Sequence, residues 1–529
     1  MTGLIIRPFS ADDDIAMLAH LVEESEREGF RFLRRLHDDY RDGSNRFDQP
    51  GEGLFAAWLA DRPVGVCGLN RDPYVPDGRT GRVRRLYVHP SVRQLGVGRS
   101  LVTAVIAKAR ETYPIIRLRT KNPAADAFYR RLGFSPVESE AATHVLRLTG
   151  PNAPRYSPMN IPTQVDVSRA ILAHWGLDSA DSFWIPARTE RIVLWVVDGL
   201  GLGIFERARE HGLLPHYRRA PGRLYRRQSV FPTTTAAGMA SLAFASPPAV
   251  HGALGYSVFV PEVGRRAALL TGLDEVGCAV PEDILYPRIV PTIFERVAAH
   301  GWGSAVVSPH TYQHSGFSRW LYAGSRYFGY HADNPLSAVE AVRSALRDPI
   351  TRLVWLYWPY IDQAGHADGP KSAQMDQALS SWDSAYGAAL HRWRIGPPVT
   401  MLITADHGMA ALDPARAIRQ NDPRAVPLWT KRWAGERRAV TTEIPMEAVL
   451  SLFGPTAAVY TQAQLWDEGW YGGDPVRNTW RDRVLHTLIV PPDNVQFQQD
   501  GVIEPALLKG GHGAMSPAER DIPLVVRPL

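Results

Sequence analysis

Three short apolar runs, at residues 191–197, 353–358 and 401–403, are each followed within a few positions by an acidic residue: Asp198, Asp362 and Asp406. Short runs so rich in Val, Ile, Leu and Trp read as buried strands. Open α/β sheets keep their ligands at the carboxyl ends of such strands. The third run continues Thr404-Ala405-Asp406-His407-Gly408-Met409, placing an imidazole beside the carboxylate. Oxygen and nitrogen donors together suit a Zn²⁺-class ion. Taken alone, the Asp-His-Gly sequence reads equally as a turn at a strand end.

The chain has 529 residues, more than one hydrophobic core usually supports, so at least two domains are expected. A formal net charge of +5, with no long Lys/Arg block, gives no indication of a nucleic-acid partner and stays compatible with phosphorylated substrates. Cys67 and Cys278 lie far apart without metal-type spacing. They read as two buried thiols rather than a disulfide framework or a thiolate zinc site. The N-terminus MTGLIIRPFSADDD lacks the layout of a signal peptide, and no apolar run approaches the roughly 20 residues of a membrane span. The expectation is a soluble, cytoplasmic protein with no membrane partner.

In the first 150 residues, strands are expected at residues 4–8, 53–59, 64–70, 83–88 and 115–120, with a turn at residues 60–63 and a helix reaching Glu28. After the fourth strand, Arg93, Gly96 and Gly98 form an R-x-x-G-x-G pattern that runs into a helix with Arg99 and Ser100. Such a loop is an anion cradle: glycines admit close backbone approach, and the free N–H groups and dipole of the helix start attract phosphate. Further on, Asn122 and Pro123 open a helix carrying Tyr129, which Gly133 ends.

At these two blocks the chain resembles the GNAT family of acetyl-CoA-dependent N-acetyltransferases, over about residues 1–150. The resemblance implies that the loop from Arg93 through Gly96, Gly98 and Arg99 to Ser100 binds the pyrophosphate of acetyl-CoA. It also implies that strand residues from Leu86 to Val88 hydrogen-bond the pantetheine arm, that Asn122 contacts the cofactor, and that an amine is the acceptor. Tyr129 falls where the family places a general acid for the departing thiolate, a role open to a phenol with an ordinary pKa of about 10. The other reading of Tyr129 is a residue packed under the cofactor. The strand around Arg82, Arg84 and Arg85 lacks the glutamate base that many relatives carry. These arginines read as a solvated basic face, with an acidic acceptor as the alternative.

Residues 151–185 are expected to form a proline-rich linker and a short helix of unassigned purpose, and residues 186–529 a second domain. There, Ser229 to Thr235 leads into the small-residue helix AAGMASLAFAS. A threonine at a helix start serves either as a nucleophile beside free N–H groups or as an N-cap. Asp362 and His366 stand four apart, so one helical turn can aim both at one ion. His512 lies in the glycine-rich stretch KGGHGAM.

As an ordered set, Asp198, the threonine run, Asp362 and His366, Asp406 and His407, and His512 resemble the alkaline phosphatase superfamily in its nucleotide pyrophosphatase/phosphodiesterase branch. The implied fold is an α/β sandwich with a central, largely parallel sheet. Also implied are two zinc ions, one on Asp362, His366 and His512, the other on Asp198, Asp406, His407 and the nucleophile. Alignment with the family's nucleophile segment, by its distance to His251-Gly252, makes the resemblance favour Thr235 as that nucleophile, with Thr233 and Thr234 left open. The implied reaction is in-line phosphoryl transfer to the threonine followed by hydrolysis of the phosphothreonine.

Two departures leave the small phosphorylated, possibly nucleotide-like substrate undefined. Gly255 and Tyr256 follow where relatives carry an asparagine, and Phe244-Ala245-Ser246 stands where a Thr-Gly pair is usual. The whole reads as a bifunctional enzyme, an N-acetyltransferase fused to a two-zinc phosphodiesterase. The alternatives are a phosphonate hydrolase or phosphomonoesterase on the same scaffold, and a first domain that senses acyl-CoA without catalysis. The aromatic stretch at residues 256–350 is expected to supply part of a lid or pocket wall, or ordinary core. His310 and His314 read as pocket or structural groups, Asp376 and Asp383 as solvated or packing residues.

Overall fold

The computed structural model describes every residue except 1–3, 11–12, 60, 76–79, 94, 110–111, 114, 121, 133, 138, 140, 149–160, 335, 454–456, 473–479 and 499–506. Ala60, Gly133 and most of the expected linker lie outside the described residues. The chain divides into two compact units, Met1–Ala153 and Pro154–Phe453 with Val459–Leu529. No helix among the described residues is long and apolar enough to cross a membrane.

The first unit is a seven-stranded sheet. Its strands are β1 (Leu4–Pro8), β2 (Gly53–Leu59), β3 (Arg62–Arg71), β4 (Thr80–Val88), β5 (Ile115–Leu118), β6 (Ser135–Pro136) and β7 (His144–Arg147), in the spatial order β1-β2-β3-β4-β5-β7-β6. Arg62 and Pro63, expected in a turn, belong to β3, so the connection from β2 is shorter than the sequence indicated. Strand periodicity sorts side chains to two faces. Ala56, Trp58 and Val66 pack beneath α1 (Ala19–Arg27) and α2 (Phe32–Asp42), whereas Ala57, Cys67 and Val83 pack against α3 (Val97–Ala109). Sequence reading did not find α2. Among the described residues only β4 and β5 pair in parallel, over residues 80–82 against 115–117. Helix α4 (Pro123–Arg131) carries Tyr129.

The second unit opens with α5 (Gln164–His174), capped by Thr163 through a capping box. Strands β8 (Arg191–Val197) and β9 (Arg223–Gln228) are followed by β10 (Ser257–Val260), β11 (Arg265–Ala268), β12 (Gly303–Pro309), β13 (Arg326–Tyr330), β14 (Thr351–Trp358) and β15 (Val399–Thr404). The central sheet has the order β13-β12-β14-β8-β15, all parallel, then the C-terminal strand Asp521–Pro528 antiparallel to β15, then β9. Beneath it, Trp195, Trp358, Trp382 and Trp393 interlock in a fully buried core with the helix Ala373–Arg392. A second sheet of six short strands includes β10, β11 and the strands Trp433–Glu436 and Ala439–Thr442.

Several expectations resolve here. Cys67 is buried but Cys278 is exposed, because it follows the turn in which Asp274 accepts its backbone N–H. Asp383 is buried and accepts the backbone N–H groups of His216 and Tyr217, while Asp376 pairs with Arg207. Most of the aromatic stretch is core: Tyr286, Phe294, Phe317 and Trp320 are buried, and the ring of Trp320 packs at a tilt against those of Tyr286 and Phe244. Ala245 ends its helix in the left-handed conformation (φ 48°), which favours glycine.

Candidate active site

The carboxyl ends of β14, β8 and β15, three neighbouring parallel strands, lie level: Trp358 is opposite Val197, and Thr404 opposite Val196. Asp198 follows β8 directly, Asp406 and His407 follow β15, and Asp362 with His366 sits on the helix Tyr360–Asp368 after β14. His512 arrives on a return of the chain, fixed where Gly511 pairs with Ala410 just beyond His407. Thr235 begins the helix Thr235–Phe244, behind Thr234.

These side chains converge. Thr235 Oγ1 lies 3.2 Å from His407 Nε2, which is 3.4 Å from Asp198 Oδ1 and 3.5 Å from Asp406 Oδ2. Asp362 Oδ2 is 3.1 Å from His366 Nε2, and His512 Nε2 is 3.2 Å from His366 Nε2 and 3.7 Å from Asp362 Oδ1. The rings of His407 and His512 stack at 3.7 Å. Thr233, in contrast, is fully buried and spends its hydroxyl on Ala514 O and Gly513 N–H.

Each imidazole is oriented by a backbone carbonyl that its Nδ1–H meets: Gly510 for His366, Gly408 for His407 and Thr233 for His512. All three Nε2 atoms therefore face the carboxylates. Asp198 Oδ1, Asp362 Oδ1 and Asp406 Oδ2 are buried without a hydrogen-bond partner. Buried oxygens are rarely left so, and acceptor-only groups converging from two histidine-carboxylate clusters fit divalent cations. Asp198, Asp406 and His407 lie close enough to share one ion, and Asp362 lies as close to His407 and His512.

The electrostatics say the same. Burial, then Asp406 and Asp362, pushes the Asp198 carboxyl well above its ordinary range, and burial likewise raises Asp406. Burial opposes the Asp362 carboxylate, yet His366, His512 and His407 hold it below that range. Burial also opposes the His366 cation, but Asp362 and the Gly510 carbonyl lift it to about 9. His512 is held low by burial and by His407.

Sequence reading missed the groups that position this cluster. Tyr357 donates its hydroxyl to Asp198 Oδ2. Gln164, wholly buried on α5, donates to Asp406 O at 2.8 Å and accepts from Val230 N–H at 2.9 Å, and Ser229 Oγ donates to the same Asp406 carbonyl. The helix of Thr235 passes so close that a Cβ on Gly238 would stand 2.7 Å from Asp406 O. A cavity of about 150 Å³ beside the cluster is lined by Tyr256, His366, Glu436, Arg437, Gly511 and His512. His310 instead meets the Tyr330 carbonyl and lies with its ring tilted against that of His331, outside the cluster.

In the first unit, Gly96 (φ 83°) precedes α3, and among the described residues, its two chain neighbours aside, no atom stands within 4 Å of where its Cβ would be. Gly98 and Arg99 lie in the first turn of α3, and the N–H and Oγ of Ser100 both return to Gly96 O, at 3.0 and 3.3 Å. This open helix start fits an anion. Arg93 is already engaged, with Nη1 2.6 Å from Glu28 Oε1 and Nε 2.9 Å from Val88 O. Leu86 and Val88 are partly buried at the end of β4, and Asn122 is exposed just before α4. Tyr129 is buried, which raises its pKa, and its ring packs against Phe128 and Phe134.

Residues 192–483 match the type I phosphodiesterase/nucleotide pyrophosphatase family, and residues 17–134 the GNAT acetyltransferase family. Among solved structures, murine ectonucleotide pyrophosphatase/phosphodiesterase 5 is similar over 64% of this chain and 88% of its own, at 18% identity and a TM-score of 0.50. An inactive threonine-to-alanine variant of that murine protein, in complex with AMP, aligns over the same shares at 16% identity and a TM-score of 0.50. Phosphonoacetate hydrolase from Sinorhizobium meliloti 1021, in complex with phosphonoformate, covers 64% of this chain and 90% of its own at 18% identity and a TM-score of 0.49. None of the curated proteins matches the chain. Through its second domain the chain belongs to the type I phosphodiesterase/nucleotide pyrophosphatase family, and its first domain is a GNAT acetyltransferase domain.

Proposed function

We infer that the second domain hydrolyses a small phosphoric ester through Thr235, and that the first transfers an acetyl group from acetyl-CoA to an amine. The observation that carries the hydrolase reading is Thr235 Oγ1 at 3.2 Å from His407 Nε2, beside three buried carboxylates with unpartnered oxygens. Asp362, His366 and His512 would hold one zinc-class ion; Asp198, Asp406, His407 and Thr235 would hold the other. When bound, such ions polarise the phosphoryl oxygen and lower the pKa of the hydroxyl.

The chain's own groups supply the rest. Thr235 Oγ1 gives its proton to solvent and attacks phosphorus, the bond to the leaving oxygen breaks and that oxygen takes a proton from solvent, and water then cleaves the phosphothreonine, its proton returning to Thr235. As the first residue of a ten-residue helix, Thr235 puts the reacting phosphoryl group against free N–H groups and the positive end of the helix dipole. The threonine-to-alanine variant of the murine relative, named inactive, supports this role. In the first domain, α3 would take the pyrophosphate and Tyr129, kept protonated by burial, would donate to the departing sulfur.

Arg437 lines the same cavity as His366, and its positive charge there favours a substrate with a second anionic group: a pyrophosphate, or a phosphonate bearing a carboxylate. Turnover of bis-p-nitrophenyl phosphate, p-nitrophenyl phosphate, a nucleotide sugar and phosphonoacetate separates these classes. Thr235→Ala is expected to lower hydrolysis by at least about a thousandfold, the scale of a lost nucleophile, with metal content retained; unchanged turnover would remove Thr235 from the mechanism. Acetyl-CoA that alters the hydrolase rate without being consumed would instead make the first domain a sensor.

A further inference from the structure

Beyond the point where β4 and β5 stop pairing, the first domain holds a cavity of about 300 Å³. This is at the small end of ligand pockets, which run from roughly 300 to 1,000 Å³. Its lining includes Leu86 and Tyr129 together with Arg82, Arg84, Arg85 and Arg119. The solvated basic face expected for these β4 arginines is not what the structure shows. The side chains of Arg82 and Arg85 are only 9% and 10% exposed, and Arg84 is half-buried.

The cluster carries more positive charge than its surroundings offset. Arg82 pairs with Asp72 at 3.2 Å and donates to Ala141 O, and Arg85 reaches Asp39 at 3.4 Å. Arg85 Nε is nevertheless buried without a hydrogen-bond partner. Arg84 has no ion pair or side-chain hydrogen bond among the described residues, and both burial and its neighbour Arg82 work against its charge. A guanidinium does not shed its proton to escape such a site, so the cost persists until an anion meets it.

The backbone is also irregular here. Gly65 and Val66 pair with Val88 and Tyr87, but Gly68 pairs with Arg84, so two β4 residues oppose Cys67 alone, and Arg85 takes φ 61°. Bulges of this kind re-aim side chains, often beside active sites, and a non-glycine residue in the left-handed region is strained. As a result, consecutive arginines reach one cavity.

We propose that this cavity binds the acetyl acceptor, and that the acceptor is a small amine bearing an acidic oxyanion, carboxylate or phosphonate, held by Arg84 and Arg85. The proposal rests on the acetyltransferase reading of this domain. The amine lone pair attacks the thioester carbonyl and the C–S bond breaks. The amine proton leaves to water, while the thiolate takes a proton from Tyr129, which solvent restores. Among the described residues no carboxylate lines the cavity. The four cavity arginines outnumber Asp72, Asp39 and a single substrate charge, and this positive field favours the neutral amine, which accounts for the missing glutamate base.

The test uses the full chain. Release of free thiol from acetyl-CoA is followed with glycine and aminomethylphosphonate against ethylamine and ethanolamine. The acidic amines are expected to be preferred, and Arg84→Gln to raise their KM by about tenfold or more, as for a lost charge-assisted hydrogen bond, a larger rise than for the neutral amines, with Arg84→Lys partly restored. The two acids distinguish carboxylate from phosphonate. In parallel, calorimetric titration with CoA present compares N-acetylglycine and N-acetylaminomethylphosphonate with N-methylacetamide. Binding of the acids that is lost in Arg84→Gln, without any turnover, sustains the oxyanion site and overturns only the acetyltransferase reading. Equal use of neutral and acidic amines, or failure of both acids to bind or react, overturns the proposal.

Discussion

Tyr357 shows how much of this site depends on a residue that carries no motif. It sits in the apolar run of β14, its hydroxyl donates to Asp198 Oδ2, and its own carbonyl accepts from Tyr330 at 2.9 Å. One Asp198 oxygen is thereby fixed, which leaves Oδ1 toward His407 and Asp406. Partners of this kind behind a metal ligand are typically worth about 10–100-fold in metal affinity or activity. Tyr357→Phe keeps the ring and its packing, so the expected outcome is zinc affinity lower by that factor in a chelator competition, with an unchanged melting profile. Unaltered affinity and turnover would show that Asp198 needs no such anchor. In the sequence, a tyrosine within LVWLYW is indistinguishable from core. Gln164 is equally silent, because its partner Asp406 lies 242 positions away.

Among the elements, what could be read and what could not divide along strand type. β8, β14 and β15 are covered on both faces and appear as continuous apolar runs, so the carboxylates at their ends stood out as chemistry. The six-stranded second sheet is built of four-residue strands such as Trp433–Glu436 and Ala439–Thr442, too short to impose a period. Glu436, Arg437 and Arg438 therefore went unread. Arg438 is wholly buried and forks onto both oxygens of Glu519, each at 3.1 Å, while Glu519 also accepts from the Ala514 and Ser516 N–H groups. This pair ties the second sheet to the loop that carries His512. Removing one partner of a buried pair leaves an uncompensated charge and typically costs about 3–5 kcal/mol. Glu519→Ala is expected to destabilise the second domain by that amount in denaturant unfolding and to weaken metal binding at His512; a loss below about 1 kcal/mol, the range of an exposed pair, would mean that Arg438 finds other partners.

For the molecule as a whole, the division into two units with separate cores puts the histidine-carboxylate cluster in the second. In the ion-free protein, His366 keeps its proton up to about 9, whereas an unfolded histidine loses it near 6.5. Asp198 and Asp406, pushed up by burial, also hold protons that the unfolded chain has already released. Each of these groups makes the folded state the proton-richer one, so its contribution declines as pH rises. For His366 the contribution is fully present below about 6.5 and lost as pH passes through 9. Asp362 and His512, both held low, act in the opposite sense, but their windows lie at acid pH, below the unfolded values of aspartate and histidine. Between pH 6.5 and 9 the balance is one-sided: without ions, the second domain's melting temperature falls as pH rises. Bound cations take over the charge compensation that those protons provide, and binding to the folded state alone adds stability by mass action. Scanning calorimetry of chelated and zinc-loaded protein at pH 6.5, 8 and 9 is expected to show two transitions, of which chelation lowers one, increasingly so toward pH 9. A chelated transition that stays level or rises over this range would mean that the His366 proton is not what holds the ion-free cluster together.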